Sequence, residues 1–514
     1  MKKGFILILS IIQVAFLNAQ VYDYVVAKDG TGNFSTIQEA INAAPLGTTR
    51  TTIFVKKGIY NEKLYLGSHS VSINKSISLI GENRDSVVLT WNDYNGKSIY
   101  YYNATSPSTS GTPQSASMTV NAADFYMENL TVQNSYTSAQ AVALYTLGDR
   151  QTFKNCRIVG FQDTQDLKKG RRTFFYHCQI EGGTDFICAG GTAYYYKCTL
   201  KSLSNGQYVT APEDISYSAT LSTGKKLNYG FIFKDCDLIA GPGLSSNTVY
   251  LGRPWADNSG SIFLNCRMGS HIRSLGWSIW NSGTPNNTYC SFAEFQSMNA
   301  AGTTFVDVSG RVSWSMQLAV ADVNNFLKMT TVYASLGLSP VYDPIPLVVA
   351  PSPISAVVKN GQSLQWTEVS AANGYVIYAN GSALGFSKKG SFTDTVGRSA
   401  APVYTVCTVG ALGNLSLPDG AVDLVTANAL NDKVNGTVTA TVGNPTITVP
   451  KYLLQAGRLL FEQPTDCTLY ALTGQTIIQS KQVLTCDLNR FPKGIYLLKA
   501  YDTSNGSYQT KIQL

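Results

Sequence analysis

The sequence predicts an all-β protein, a right-handed parallel β-helix followed by two small β-sandwich domains. Three observations carry this expectation. Of the 514 residues, 44% are apolar and only 14% charged, and the chain holds 30 Tyr, 21 Phe and 44 Gly. Strand formers and turn residues with so little charge describe a β-rich chain with a large core and exclude a disordered one. A short aromatic motif recurs through the middle of the chain at a spacing near 20 residues. Past residue 343 the composition turns Pro-rich and gives way to short alternating strands.

The repeat begins clearly at Phe153-Lys-Asn-Cys156-Arg-Ile158 and is echoed at Phe175-Tyr-His-Cys178-Gln-Ile180 and Tyr195-Tyr-Lys-Cys198-Thr-Leu200. Two more copies are Phe233-Lys-Asp-Cys236-Asp-Leu238 and Phe263-Leu-Asn-Cys266-Arg-Met268, and Met127-Glu-Asn-Leu130-Thr-Val132 is an earlier variant. The first three cysteine copies start 22 and then 20 residues apart, and the later gaps are 38 and 30, as expected where loops are inserted between rungs. A period near 20 with two-residue apolar alternation means stacked coils of parallel strands. Leucine-rich repeats would need recurrent Leu and helical backs, whereas these slots are aromatic. Stacked inward positions favour small apolar residues, which accounts for the cysteines. Cys178 and Cys198 would stand on consecutive rungs ~4.8 Å apart, compatible either with a disulfide or with two buried thiols.

From the N-terminus, Lys2 and Lys3 precede the apolar run Phe5 to Leu17 and the small-polar Asn18-Ala19-Gln20. Residues 1–20 therefore read as a secretory signal peptide, too short for a membrane span, and no later run of 18 apolar residues predicts a transmembrane segment. Ser35 followed by Gln38 forms a capping-box pattern, and Ile37, Ala40, Ile41 and Ala44 fall at helical spacing. A short helix there would plug the open end of the coil. The coil is expected over 21–345. The stretches Asp343-Pro344-Ile345-Pro346 and Pro351-Ser352-Pro353 look like a linker. A chain ended near residue 345 is then expected to keep the coil's activity. Residues 349–428, with Gly374-Tyr-Val-Ile-Tyr378 and Val403-Tyr-Thr-Val-Cys407, resemble a fibronectin type III sandwich, and 440–514 form a third small β unit.

The net charge of +7 suits a polyanionic partner. The absence of a long Lys/Arg run argues against nucleic acid. Only three His (His69, His177, His271) and no paired CxxC motifs are present, so neither a metal site nor a cofactor is expected. No Gly-x-Ser-x-Gly elbow is found, which disfavours a serine esterase.

Chemistry is expected at Gln140, Gln162, Asp163 and Asp185. Gln140 to Gln162 and Asp163 to Asp185 are both 22 residues, the local repeat length. Each pair should occupy one slot on neighbouring rungs, about one strand spacing (~4.8 Å) apart. Two close carboxyls cannot ionise independently, so one can stay protonated beside an ionised neighbour. Glutamine amides nearby would supply neutral N–H donors to an oxyanion. Each of these residues taken singly could equally serve a polar ladder or a turn; the matched spacings favour a site.

Around these residues the chain resembles pectin methylesterases, carbohydrate esterase family 8. The resemblance rests on Gly32-Asn-Phe-Ser-Thr-Ile37, Gly58-Ile-Tyr-Asn-Glu62, Gln140-Ala-Val-Ala-Leu144, Gly148-Asp-Arg150, Gln162-Asp-Thr164, Asp185-Phe-Ile187, Leu251-Gly-Arg-Pro-Trp255 and Gly276-Trp-Ser-Ile-Trp280. It covers residues 21 to about 340. It implies that Asp185 is the nucleophile on a galacturonate methyl ester, Asp163 the acid and then base, Gln140 and Gln162 the oxyanion donors, and Arg253 the partner of Asp185. It also implies a sugar-facing Trp255, with Phe186 and Trp280 as further substrate contacts, although Trp280 alone reads first as a packed core aromatic. The chain departs from the family at Gln165 and Asp166, where Leu-Tyr is usual, at Cys188 and Ala189, where Phe-Gly is usual, and at Tyr145, where Arg is common. The implied partner is methyl-esterified homogalacturonan, acted on by a monomer that is secreted or held at the outer cell surface.

The tail carries a second resemblance. Phe461-Glu-Gln-Pro464, Leu472-Thr-Gly-Gln475, Pro492-Lys-Gly-Ile-Tyr496 and Lys511-Ile-Gln-Leu514 are similar to the C-terminal sorting domain of type IX secretion, which implies the export machinery as a partner. Three other functions use the same coil. A polygalacturonase would make new reducing ends. A pectate lyase would want an acidic calcium cluster. A binding module would turn nothing over, and the matched Gln/Asp set with Arg253 argues against it.

Overall fold

The computed structural model describes residues 20–100, 105–215, 217–396 and 402–417, together with strand backbone between 452 and 513. The signal peptide expected at 1–20 lies outside these apart from Gln20. Three parallel sheets run the length of the first unit. One holds eleven strands, from Tyr24–Val26 and Gly47–Val55 through Arg172–Tyr176 and Thr192–Tyr196 to Met316–Gln317. A second runs from Gly58–Asn61 through Thr131–Asn134, Arg157–Val159, Gln179–Gly182 and Thr199–Ser202 to Arg267–Met268. The third orders Leu64–Leu66, Met118–Val120, Leu144–Thr146, Gln165–Leu167, Ile187–Ala189, Tyr208–Pro212 and Tyr250–Gly252. Each turn of the chain adds one strand to each sheet, which is a parallel β-helix.

The repeated motif sets the register. Phe153 pairs with Phe175, Phe175 with Tyr195, Tyr195 with Phe233, and Phe233 with Phe263. Their rings stack inside the coil at centroid separations of 4.9, 4.6, 4.7 and 4.5 Å. Those separations match one strand spacing, so ring stacking and backbone pairing reinforce each other. The cysteines form the neighbouring column. Each thiol donates to a backbone carbonyl on the preceding rung: Cys156 to Met127, Cys178 to Phe153, Cys198 to Phe175, Cys236 to Tyr195 and Cys266 to Phe233. Cys178 and Cys198 are therefore two buried free thiols and not a disulfide. The 38-residue gap contains the antiparallel hairpin Ser218–Thr220 with Lys226–Asn228, an insertion between rungs as expected.

Between the first and second sheets, the residue just before the Leu or Cys slot adopts a left-handed backbone. It is Asn129, Asn155, His177, Lys197, Asp235 and Asn265 in turn, with φ between 48° and 61°. Asn and Asp tolerate this conformation best, which accounts for most of the column. Asn155 also donates to the Asn129 side chain at 2.7 Å, a polar ladder outside the aromatic one.

The helix Ile37–Ala43 forms where the apolar spacing placed it, and Ile37, Ala40 and Ile41 are buried. Its cap is one residue later than expected. Thr36 accepts from the Glu39 amide while the Glu39 carboxylate accepts from the Thr36 amide, so the box is Thr36/Glu39 and not Ser35/Gln38.

The Pro-rich stretch is not a free linker. Ile345–Val348 is a helical turn whose Ile345 and Val348 join Tyr342, Leu327, Met329, Val332 and Tyr333 in one buried cluster. Two three-stranded antiparallel sheets follow, one of Val358–Asn360, Ser363–Gln365 and Ser391–Thr393, the other centred on Gly374–Ala379. The central strand is buried on both faces. Tyr375 and Ile377 pack with Leu364, Trp366 and Val406. Val376 and Tyr378 pack instead on Tyr22, Phe54, Ile80 and Tyr126 of the coil. Ending the chain at residue 345 would bare that coil surface.

In a second unit, strands Tyr452–Gln455, Arg458–Ala471, Thr476–Asp487, Ile495–Asp502 and Gly506–Gln513 pair antiparallel. Of the sorting-domain motifs, 472–475, 492–494 and 514 lie outside the described residues.

Phe175 sits at the middle of the aromatic column with no exposed surface. Phe175→Ala is expected to lower stability by about 3–5 kcal/mol, read as a lower urea midpoint at unchanged slope.

Candidate active site

The third sheet begins with a turn that positions the site. Gln140 pairs with Gln162, and Gln162 with Thr184, as single parallel bridges just ahead of the strands. Asp163 and Asp185 each follow one of these bridged residues, so they occupy equivalent places on adjacent rungs. Both have left-handed backbones, φ 61° and 49°, a conformation Asp tolerates better than most residues and one that often marks functional positions. The Asp163 amide donates to the Thr184 carbonyl at 3.2 Å, tying the two turns together.

Both carboxyl groups are buried, and their partners differ. Arg253 grips Asp185 bidentately, Nε donating to Oδ1 at 3.0 Å and Nη2 to Oδ2 at 2.6 Å. Gln140 Nε2 donates to Asp163 Oδ2 at 2.7 Å. Burial pushes the Asp163 carboxyl up to about 8, helped by the negative charge of Asp185 and opposed by the Gln140 hydrogen bond. Burial raises Asp185 above the ordinary carboxylate value, and the Arg253 guanidinium opposes that rise. Asp163 is therefore the member of the pair that holds a proton at neutral pH, while the Arg253 clamp favours the charged form of Asp185.

Arg253 is itself held between two rings, its guanidinium 4.1 Å from the Tyr208 centroid and 4.3 Å from that of Trp280. Such stacking fixes the plane of the guanidinium and so the direction of its fork. Trp280 is half-exposed and stacks near Trp255 at 6.2 Å and 20°; it is not a core aromatic. Trp255 is 44% exposed, and its link to the dyad runs through Trp280, which stacks on Arg253. Gln162 is half-exposed, and its carboxamide makes no hydrogen bond among the described residues. Phe186 differs from expectation. It is fully buried, and its Cβ crowds Gly182 inside the coil, so it packs the core beneath Asp185 and offers no face to a ligand.

Three of the five departures from the family pattern fall on one row, with Gln165 and Ala189 on the rows either side. Tyr145 pairs with Asp166, and Asp166 with Cys188, all at the middle of third-sheet strands downstream of the dyad turns. Burial and the nearby Glu213 carboxylate push Asp166 up to about 7. Three residues at the site were not singled out from the sequence. Asn95 and Thr112 both donate to Gln140 Oε1, at 2.8 and 3.0 Å, and Tyr208 backs Arg253. Asn95 and Thr112 lie on an insertion outside the repeat, and Tyr208 follows an irregular gap, so no spacing marked them.

A family model for pectinesterases matches residues 23–334. The chain belongs to the pectinesterase family. It is 32% identical over 305 residues to pectinesterase 31 of Arabidopsis thaliana, covering 59% of this chain and 89% of that protein. Among solved structures, the pectin methylesterase from carrot matches with a TM-score of 0.52 at 26% identity, over 62% of this chain and 95% of that one. A pectin methylesterase mutant in complex with a hexasaccharide matches with a TM-score of 0.50 at 28% identity, over 63% and 99%. As a pectinesterase, the chain is a carboxylic ester hydrolase that removes the methyl esters of pectin and releases methanol.

The charge split makes two linked predictions. Activity should form a bell in pH: its alkaline limb, near pH 8, reports loss of the Asp163 proton, and its acid limb reports protonation of Asp185. Because the Asp163 pKa is raised in the folded state, the native protein binds the extra proton between about pH 4 and pH 8, and stability falls as pH rises through that window. Asp163→Asn should therefore raise Tm near pH 8 and much less near pH 4, measured by calorimetry, while methanol release is lost.

Proposed function

We propose that pectin demethylation by this chain runs through Asp185 as nucleophile and Asp163 as acid and then base. The observation that carries this assignment is the asymmetric pair itself, one carboxylate clamped by Arg253 and its neighbour one rung away held protonated.

An Asp185 oxygen bonds to the ester carbonyl carbon of a galacturonate, and the carbonyl electrons move onto oxygen. Gln162 and the remaining Nε2–H of Gln140 stabilise that oxyanion. The carbon–methoxy bond breaks, and Asp163 gives its proton to the departing oxygen, so methanol leaves and an acyl-Asp185 remains. The ionised Asp163 then takes a proton from water as the water oxygen adds to the acyl carbon. The Asp185–carbon bond breaks, which restores the Asp185 carboxylate and the protonated Asp163 and frees the galacturonate acid. Trp255, with Trp280 beside it, offers a flat apolar face to a sugar ring of a methyl-esterified homogalacturonan chain.

The remaining assignments belong to the same reading. Residues 1–20 act as a signal peptide and 21–345 as the right-handed catalytic coil. Residues 349–428 form a fibronectin type III-like sandwich, supported by the two three-stranded antiparallel sheets. Residues 440–514 form a sandwich-type sorting domain for type IX export. The mature chain is a monomer, secreted or held at the cell surface.

Asp185→Asn is expected to abolish methanol release from methylated pectin while circular dichroism stays native; near-normal turnover would remove Asp185 as nucleophile. Gln162→Ala should lower kcat by about 10²–10³-fold, and a change confined to KM would contradict an oxyanion role.

A further inference from the structure

An oxyanion donor works only if it faces the right way. A glutamine carboxamide is nearly symmetric in shape and opposite in chemistry at its two ends, with two donors on nitrogen and two acceptor lone pairs on oxygen. Turned over, Gln140 would aim its oxygen at the developing oxyanion, replacing attraction by repulsion there. Its own neighbours in the coil do not prevent this.

What holds it lies on an excursion between the strands Val87–Trp91 and Met118–Val120. The excursion contains a short antiparallel pair, Ser98–Ile99 with Ser108–Thr109. Its stem is closed by Gly96 N to Ser110 O at 2.8 Å, Ser110 N to Lys97 O at 2.9 Å and Ser110 Oγ to Tyr94 O at 2.6 Å. Its base is anchored by buried Asp93, which pairs with Lys63 at 2.6 Å and Lys97 at 2.8 Å. The Asn95 amide donates to the Gln140 backbone carbonyl at 2.9 Å. From that fixed stem, Asn95 Nδ2 and Thr112 Oγ1, one on each arm, donate to Gln140 Oε1 at 2.8 and 3.0 Å.

We propose that Asn95 and Thr112 are positioning residues that lock the Gln140 carboxamide, oxygen outward and nitrogen toward the dyad. The two donations occupy both lone pairs of Oε1. One hydrogen on Nε2 goes to Asp163 Oδ2, and the other is left for the oxyanion. Two hydrogen bonds to the carbonyl also polarise the amide and strengthen its N–H donors. The inference rests on the esterase chemistry proposed above and gives the excursion a purpose, since it sets the orientation of one catalytic amide from outside the repeat.

The test is a cycle in the full chain. Asn95→Ala and Thr112→Val should each lower kcat about 3- to 10-fold, the net worth of one hydrogen bond, with KM little changed, and Thr112→Ser should recover most of the loss seen with Thr112→Val. In a Gln140→Ala background neither substitution should cost anything further. Because the Gln140 bond lowers the Asp163 pKa, loosening it should move the alkaline limb of the pH profile upward. Losses that multiply with Gln140→Ala, or an unmoved limb, would overturn the proposal. A second readout does not need turnover: in protein labelled with ¹⁵N-glutamine, the Gln140 side-chain NH₂ should exchange with water faster in Thr112→Val than in the parent. Unchanged exchange overturns the positioning role whatever the activity. An intact chain that releases no methanol, yet shows the faster exchange, would sink the dyad assignment and leave this one standing.

Discussion

The stacking of one rung on the next, at a single strand spacing, is the constraint from which the rest follows. Parallel pairing alone leaves register free, since any two-residue slip keeps the faces alternating. The column Phe153, Phe175, Tyr195, Phe233, Phe263 removes that freedom, because rings 4.5 to 4.9 Å apart stack only when equivalent residues are level. The thiol column beside it adds one S–H to carbonyl contact per rung in the same sense. Asp163 and Asp185 are level because these interior columns are level. The backbone bond from Asp163 to Thr184 carries that register into the dyad turns, which matters, since two carboxyls left to themselves would move apart.

That alignment is held against an electrostatic cost. Two buried carboxyls on neighbouring rungs repel if both ionise, and burial penalises each separately. The cost is divided unequally. Asp185 receives a guanidinium whose plane is set by Tyr208 and Trp280, whereas Asp163 receives only an amide. A charged partner favours the carboxylate and a neutral one leaves the acid, so identical side chains are biased in opposite directions. Function is built from the difference in their neighbours and not from the aspartates themselves.

Much of this was legible in the sequence because a solenoid writes three-dimensional adjacency as a spacing. The 22-residue interval shared by Cys156/Cys178, Gln140/Gln162 and Asp163/Asp185 is a statement about register. Legibility stops where the period is interrupted. Asn95, Thr112 and Tyr208 reach the site from irregular segments, and no interval connects them to it. Phe186 was misplaced for a different reason: next to Asp185 in sequence, it is fully buried, because the left-handed turn at Asp185 lets the following side chain enter the coil. The Pro-rich stretch at 343–353 reads as a linker by composition, yet Ile345 and Val348 are core residues. Composition reports the backbone's freedom and not what an apolar side chain will find to pack against. The same holds for Gly374–Ala379, whose uninterrupted apolar run is explained by burial between its own module and the coil.

The separation of register from surface also explains how the chain can depart from its family beside the reacting groups without losing them. The dyad sits on left-handed turn residues that precede the third-sheet strands, while Tyr145, Asp166 and Cys188 stand within those strands, level with one another. Their inward neighbours hold the register: Gln165 is buried and accepts from the Tyr195 hydroxyl at 2.8 Å, and Leu144, Leu167 and Ile187 are fully buried. A change on the row therefore alters charge and bulk next to the dyad and leaves its geometry in place. Burial and Glu213 push Asp166 up to about 7 against the opposing charge of Lys168, so the row sets the charge beside the dyad without setting its geometry. The same interior columns that keep two aspartates level thus leave the adjoining row free to vary.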